Sequence, residues 1–176
     1  MNARNRGSPS ESEFDEIFAQ QSAFVWRVLA RLGVQTRDVP DACQEAFLVV
    51  HRRIEDFDPS RSSLRSWLYG ICARVASDYR RRHPNRNETS GEALDQMGVS
   101  GQQEEELQSA RAWRRLTQVL DRMDAAKREV FVLFELEAMP MAEVALSLDC
   151  PLQTAYARLH AARRLVLAAF QESEQR

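Results

Sequence analysis

Apolar side chains recur at helical spacing in two separate stretches of this chain, and the segment between them breaks the pattern. Residues 84–105 hold Asn, Ser, Gly, Gln and acids, with no aromatic side chain. A chain patterned this way can bury helical faces on either side of the break but has little to bury within it. Phe14, Ile17, Phe18, Val25, Val28, Leu29 and Leu32 mark a first helix, opened by a capping-box-like Ser12–Asp15 pair and stopped at Gly33. A second helix starts near Asp38-Val39-Pro40 and carries Val39, Cys43, Ala46, Phe47 and Val50 on its apolar side. After the Phe57-Asp58-Pro59-Ser60 turn, Ser62 or Ser63 can cap a third helix. Its stripe is Leu64, Leu68, Ile71, Cys72 and Val75, and it ends in Arg80-Arg81-Arg82-His83-Pro84.

Four more helices follow the break. One carries Leu107, Ala110, Trp113, Leu116, Leu120 and Met123. Asp124 can cap the next, whose Val130, Phe131, Leu133, Phe134 and Leu136 are apolar nearly all round and predict a buried helix. A short helix over 140–148, a turn at Asp149-Cys150-Pro151 and a last helix over 152–170 complete the chain. The expectation is an all-α fold of two small helical domains, 12–83 and 107–170, joined by a flexible acidic linker, 84–106. About 20 extended residues reach roughly 70 Å, or about two turns of duplex DNA at roughly 34 Å each.

Composition narrows the function classes. With 6 Gly and 6 Pro among 176 residues and 44% hydrophobic residues, a helical core is favoured over a sandwich or barrel. No apolar run reaches the roughly 20 residues of a membrane span, and no secretory leader is legible at the start. A cytoplasmic protein is therefore expected. Cys43, Cys72 and Cys150 lack zinc spacing and read as reduced thiols, two of them on apolar stripes. No nucleophile–base pair, phosphate loop or supported carboxylate pair stands out, so no catalytic residue, metal or cofactor is expected. The net charge of −2 gives no global attraction for nucleic acid. Its distribution does more: residues 91–110 hold five acids and no base, which leaves both flanking blocks mildly positive.

The last three elements form a helix-turn-helix pattern. In the last helix Ala155, Leu159, Ala162 and Val166 face inward by spacing. Gln153, Thr154, Tyr156, Ala157, Arg158, His160 and Arg163 face outward. Gln153 and Thr154 can bond phosphates or base edges, Arg158 can read guanine, and Arg163 and Arg164 suit phosphates. A plain amphipathic surface helix has the same period. However, no acid occurs from Leu152 through Phe170, which suits a polyanion.

The third helix interleaves aromatic and basic residues: Arg65, Trp67, Tyr69, Arg74, Tyr79, Arg80, Arg81 and Arg82. Aromatic faces stack bases of single strands, and Arg neutralises the backbone. For Trp67 and Tyr79 the core reading is the favoured one. Tyr69, off the apolar stripe, is the expected exposed contact. The arginine run also complements a helix C-terminus. The second helix is opposite in sign, with Asp38, Asp41, Gln44 and Glu45 beside Phe47 and Leu48. These acids can serve the helix dipole, or they can frame a protein-docking face around an apolar anchor.

In order and spacing these segments resemble the extracytoplasmic-function (ECF) group of bacterial sigma factors. Asp38 through Leu48 is similar to the family's region 2 stretch Asp-x-x-Asp-x-x-Gln-Glu-x-Phe-Leu. Phe57-Asp58-Pro59, Trp67-Leu68-Tyr69-x-Ile71 and Asp78-Tyr79-Arg80-Arg81-Arg82 continue it, and Leu148 through Arg163 resembles the region 4 recognition helix. The resemblance implies that Asp38, Asp41, Gln44, Glu45, Phe47 and Leu48 dock on the β′ clamp helices of core RNA polymerase. It implies that the third helix melts the minus-ten element and holds its non-template strand, and that the last helix reads the minus-thirty-five duplex. It also implies promoter DNA and an anti-sigma factor as partners, with all nucleotide chemistry left to the polymerase. The chain departs from the pattern at Arg74, where Asn is usual, at Pro140 in place of a capping Ser or Thr, and at Asp149 in place of Gly. Gln153 and Tyr156 stand where Gly and Lys are usual. An autonomous helix-turn-helix regulator is the rival reading, and it predicts tight duplex binding without polymerase.

Overall fold

The computed structural model describes residues 11–82 and 103–174. The linker expected over 84–106 falls mostly outside them. Among the described residues there are seven α-helices and no strand: α1 Glu11–Arg31, α2 Val39–Arg53, α3 Leu64–Arg82, α4 Gln103–Arg122, α5 Ala125–Phe131, α6 Met141–Ser147 and α7 Leu152–Glu174.

Local chemistry accounts for most of the boundaries. Ser63 Oγ accepts the Ser66 amide at 3.2 Å and starts α3. Asp124 accepts the Lys127 amide at 3.0 Å and starts α5. Pro40 sits in the first turn of α2, where its missing N–H costs nothing. Pro140 precedes α6 without a side-chain cap. Helix α1 is already helical at Glu11, one residue before the Ser12 expected to cap it. Helix α4 begins at Gln103, ahead of the expected Leu107.

Three helices end at a residue with a left-handed backbone. Gly33 has φ +90, and the Val34 amide bonds the Leu29 carbonyl while that of Gly33 bonds Ala30. Asp149 has φ +46, with the Cys150 amide on Ala145 and its own on Leu146. The turn expected there survives without Gly, because Asp tolerates this backbone region. The third case is Ala138, φ +53, which follows a π-helical turn over Val132–Leu136. Its neighbour Met139 bonds back to Leu133.

Helices α1, α2 and α3 pack as one bundle, and α4 through α7 as another. The expected inward stripe of α7 is correct: Ala155, Leu159 and Ala162 are buried and Val166 packs against the core. Helix α5 and its π turn are buried as expected, with Val130, Val132 and Leu133 sealed. The bundles are not independent. A single hydrophobic core runs through both, and α3 lies directly against α6. No helix among the described residues is long and apolar enough to cross a membrane.

Candidate polymerase and nucleic-acid surfaces

The acidic side of α2 is displayed largely as expected. Asp41 and Gln44 are exposed, Asp38 and Glu45 are half-buried, and Leu48 is 50% exposed. Phe47 is not the apolar anchor at this surface. It is 5% exposed beneath Phe14 and Phe18, whose rings lie 6.4 and 4.7 Å from its own. Phe18, expected in the core, is 48% exposed and lies against Phe47. Helical period locates an apolar face but cannot say whether a neighbouring helix covers it. Glu45 also pairs with Arg82 of α3 at 3.8 Å, so the acids of α2 adjoin the basic end of α3.

Along α3, Arg65 and Arg74 are exposed. Arg65 lies over the Phe24 ring at 5.4 Å. Trp67 is half-buried against Phe57, centroids 5.4 Å apart. Tyr69 contradicts its expected exposure, being only 2% exposed. The C-terminal half of the chain covers the side of α3 that carries it. Burial and the neighbouring Glu129 carboxylate hold its hydroxyl protonated far above the ordinary tyrosine range. Tyr79 is half-buried with the Arg82 guanidinium over its ring at 5.6 Å. The three terminal arginines are each engaged: Arg80 donates to the Leu32 carbonyl, Arg81 donates to Asp78 at 2.5 Å, and Arg82 forms a looser ion pair with Glu45. Arg81 nonetheless leaves most of its side chain in solvent, at 78%.

Helix α7 shows an outward face of Gln153, Tyr156, Ala157, His160 and Arg164, all exposed, with Thr154 half-buried at its start. Arg158 is half-buried near Asp124 and Glu129, and burial holds the Glu129 carboxyl above its ordinary range despite the arginines around it. Arg163 is exposed but bonded to Glu135 at 2.5 Å and laid over the Phe134 ring at 5.9 Å.

Several charged groups that sequence reasoning did not single out join the halves. Glu137, 4% exposed, receives Arg27 Nε at 3.1 Å and Nη2 at 2.8 Å, and also Arg31. Burial lowers the pKa of Arg31 and Glu137 counters it, whereas hydrogen bonding to Glu137 raises that of Arg27. Arg128, 8% exposed, donates to the Asp121 carbonyl at 2.8 Å and to the Leu32 carbonyl at 3.4 Å. A Cβ on Gly33 would stand 2.8 Å from Arg128 Nη1, the end of a long side chain, so it is the positive φ that calls for Gly here. Ser63 Oγ donates to Glu143 at 2.7 Å, and the Ser66 and Ser147 hydroxyls meet at 2.6 Å. Pairs this far apart in sequence leave no local signal.

Burial pushes the Cys43 thiol up to about 12 and that of Cys72 higher still, so both pack as small apolar groups. Among the described residues no group of three or more His, Cys, Asp or Glu is placed to hold a metal ion.

Two family models match the chain. Sigma-70 region 2 covers residues 17–86 and sigma-70 region 4 covers residues 113–166. Together they span well over half of it. The RNA polymerase sigma factor NccH of Alcaligenes xylosoxydans xylosoxydans is 27% identical over 177 residues, 98% of this chain and 94% of that protein. The ECF RNA polymerase sigma-E factor of Haemophilus influenzae is 28% identical over 142 residues, 76% of this chain and 75% of that protein. Among solved structures, the sigma factor RpoE in complex with the anti-sigma factor NepR, from Bartonella quintana, superposes with a TM-score of 0.70. The match covers 91% of this chain and 98% of that one at 16% identity, a likeness of fold.

Proposed function

This chain belongs to the sigma-70 family of RNA polymerase sigma factors and serves promoter-specific transcription initiation, and from that premise we propose how its surfaces divide the work. Residues 12–83 dock on the β′ clamp helices of core polymerase and engage the minus-ten element. Residues 107–170 read the minus-thirty-five element, and the acidic segment 84–106 joins the two.

The docking face is the α2 edge of Asp38, Asp41, Gln44, Glu45 and Leu48, extended by Phe18 of α1. An apolar centre ringed by polar side chains is the arrangement that concentrates binding energy at protein interfaces. On α3, Arg65, Arg74 and Arg81 would neutralise the non-template strand, with the half-buried Trp67 and Tyr79 as its aromatic surfaces. On α7, Gln153, Thr154, Tyr156, Ala157 and His160 face base edges, Arg158 reads guanine, and Arg163 and Arg164 hold phosphates. The observation that carries the proposal is the split of α7: a sealed Ala155–Leu159–Ala162 stripe behind an exposed face with no acid over 152–170. As with RpoE, a complex with an anti-sigma factor is expected for this chain.

The test is reconstitution of the full chain with core polymerase on promoter DNA. Permanganate should modify minus-ten thymines only when the chain is present. Promoter affinity should fall steeply with salt, because phosphate contacts release counterions. Arg158→Ala should weaken promoter binding roughly tenfold or more. Unmodified thymines, or a flat salt profile, would contradict the assignment.

A further inference from the structure

Leu152 and Tyr156 of α7 are each 47% exposed, and neither belongs to the core. Four residues apart on a helix, they share a face, and Gln153 and Ala157 stand exposed beside them. The Ala155 amide bonds the Pro151 carbonyl at 3.0 Å, so the backbone here is helical from its start. Ala155 and Leu159, both sealed, fix the opposite side to the core. The leading end of α7 is thus held rigidly from behind and offers two apolar side chains, one amide and one methyl in front.

A recognition helix enters the major groove with its N-terminal residues. Four uncharged side chains there neutralise no phosphate, so their contribution must come from base edges. The base edges in that groove carry one methyl group, that of thymine, and it is the natural contact for an exposed Leu or Tyr. A Gln amide matches adenine, donating to N7 and accepting from the N6 amino group. Both contacts belong to A·T pairs. Ala157, with only a Cβ, lets the backbone come close enough for them.

We propose that the first turns of α7 read A·T pairs directly, with Gln153 bonding adenine and Leu152 and Tyr156 packing on thymine methyl groups. The guanine given to Arg158 then adjoins an A·T segment on the side of the helix start. This inference rests on the minus-thirty-five role given to α7 above.

The experiment uses the full chain assembled with core polymerase. Selection from a random-sequence duplex library defines the minus-thirty-five element, which should hold A·T pairs beside a guanine. In the selected duplex, thymine is then replaced by deoxyuridine, which removes the methyl and keeps every hydrogen bond. Each critical replacement should weaken wild-type binding about threefold to fourfold. Leu152→Ala/Tyr156→Ala, which should melt like wild type, should bind the two duplexes alike. Replacing adenine by 7-deaza-adenine should weaken wild-type binding about fivefold or more and leave Gln153→Ala indifferent. Equal wild-type binding to thymine and deoxyuridine duplexes overturns the proposal, and so does a double variant that still senses the methyl. If a minus-thirty-five element is selected and Arg158→Ala loses it, yet the methyls do not matter, only the A·T reading falls. If no such element is selected, the role given to α7 falls and the proposal with it.

Discussion

Asp124 shows how much one side chain sets at the residue scale. Its carboxylate caps α5, and the hydrogen bonds from Lys127 hold its carboxyl below the ordinary aspartate range. A folded-state pKa lower than the unfolded one adds stability above the unfolded value and loses it as pH falls through the folded one. Asp124→Ala should therefore cost about 1 kcal/mol at neutral pH. The gap should close as pH drops below the ordinary aspartate value, as read by urea denaturation at several pH values. The cap was legible in the sequence because capping is local. Ala138 was not: nothing in Glu-Ala-Met announces a left-handed residue after a π turn. A residue with a Cβ is strained at φ +53, so Ala138→Gly should raise stability by about 1 kcal/mol. A lower midpoint for that variant would mean that the turn is not the one described.

Elements differ in how far periodicity reaches. The inward stripe of α7 could be written down from spacing, because a single face of that helix is covered. The α1–α2 edge could not, because Phe14, Phe18 and Phe47 all fit an apolar stripe and only packing decides which one is sealed. The outcome separates two substitutions that look alike in the sequence. Phe47→Ala should destabilise the fold by about 3–5 kcal/mol. Leu48→Ala, half exposed, should leave stability within about 0.5 kcal/mol and weaken polymerase docking instead. Thermal melts beside polymerase-binding titrations read both. A docking loss confined to Phe47→Ala would place the contact elsewhere. Tyr69 carries the same lesson on α3: lying off the stripe of its own helix, it is buried by a neighbour more than 50 residues away in sequence.

For the whole molecule, the pattern of two apolar stretches correctly foretold two bundles and left out their contact. Arg27 and Glu137 are 110 residues apart, and neither is remarkable locally. The shared core predicts one cooperative calorimetric transition for the full chain. Glu137→Ala, which strands the Arg31 charge, should cost about 3 kcal/mol or more, lowering the midpoint by roughly 6–12 °C. A small shift, or two transitions in the wild type, would show that the halves fold separately. The same contact makes the full chain, and not an isolated half, the proper subject of binding assays.

The central claim is that this chain is a sigma factor that meets polymerase through the edge of α2. Its most direct test is the affinity of the full chain for sigma-free core RNA polymerase, wild type beside Asp41→Ala/Leu48→Ala. Tight association that the double variant loses at least roughly tenfold while it melts like wild type is the predicted result. Absence of wild-type association, together with tight duplex binding by the free chain, would contradict it and leave a stand-alone helix-turn-helix regulator.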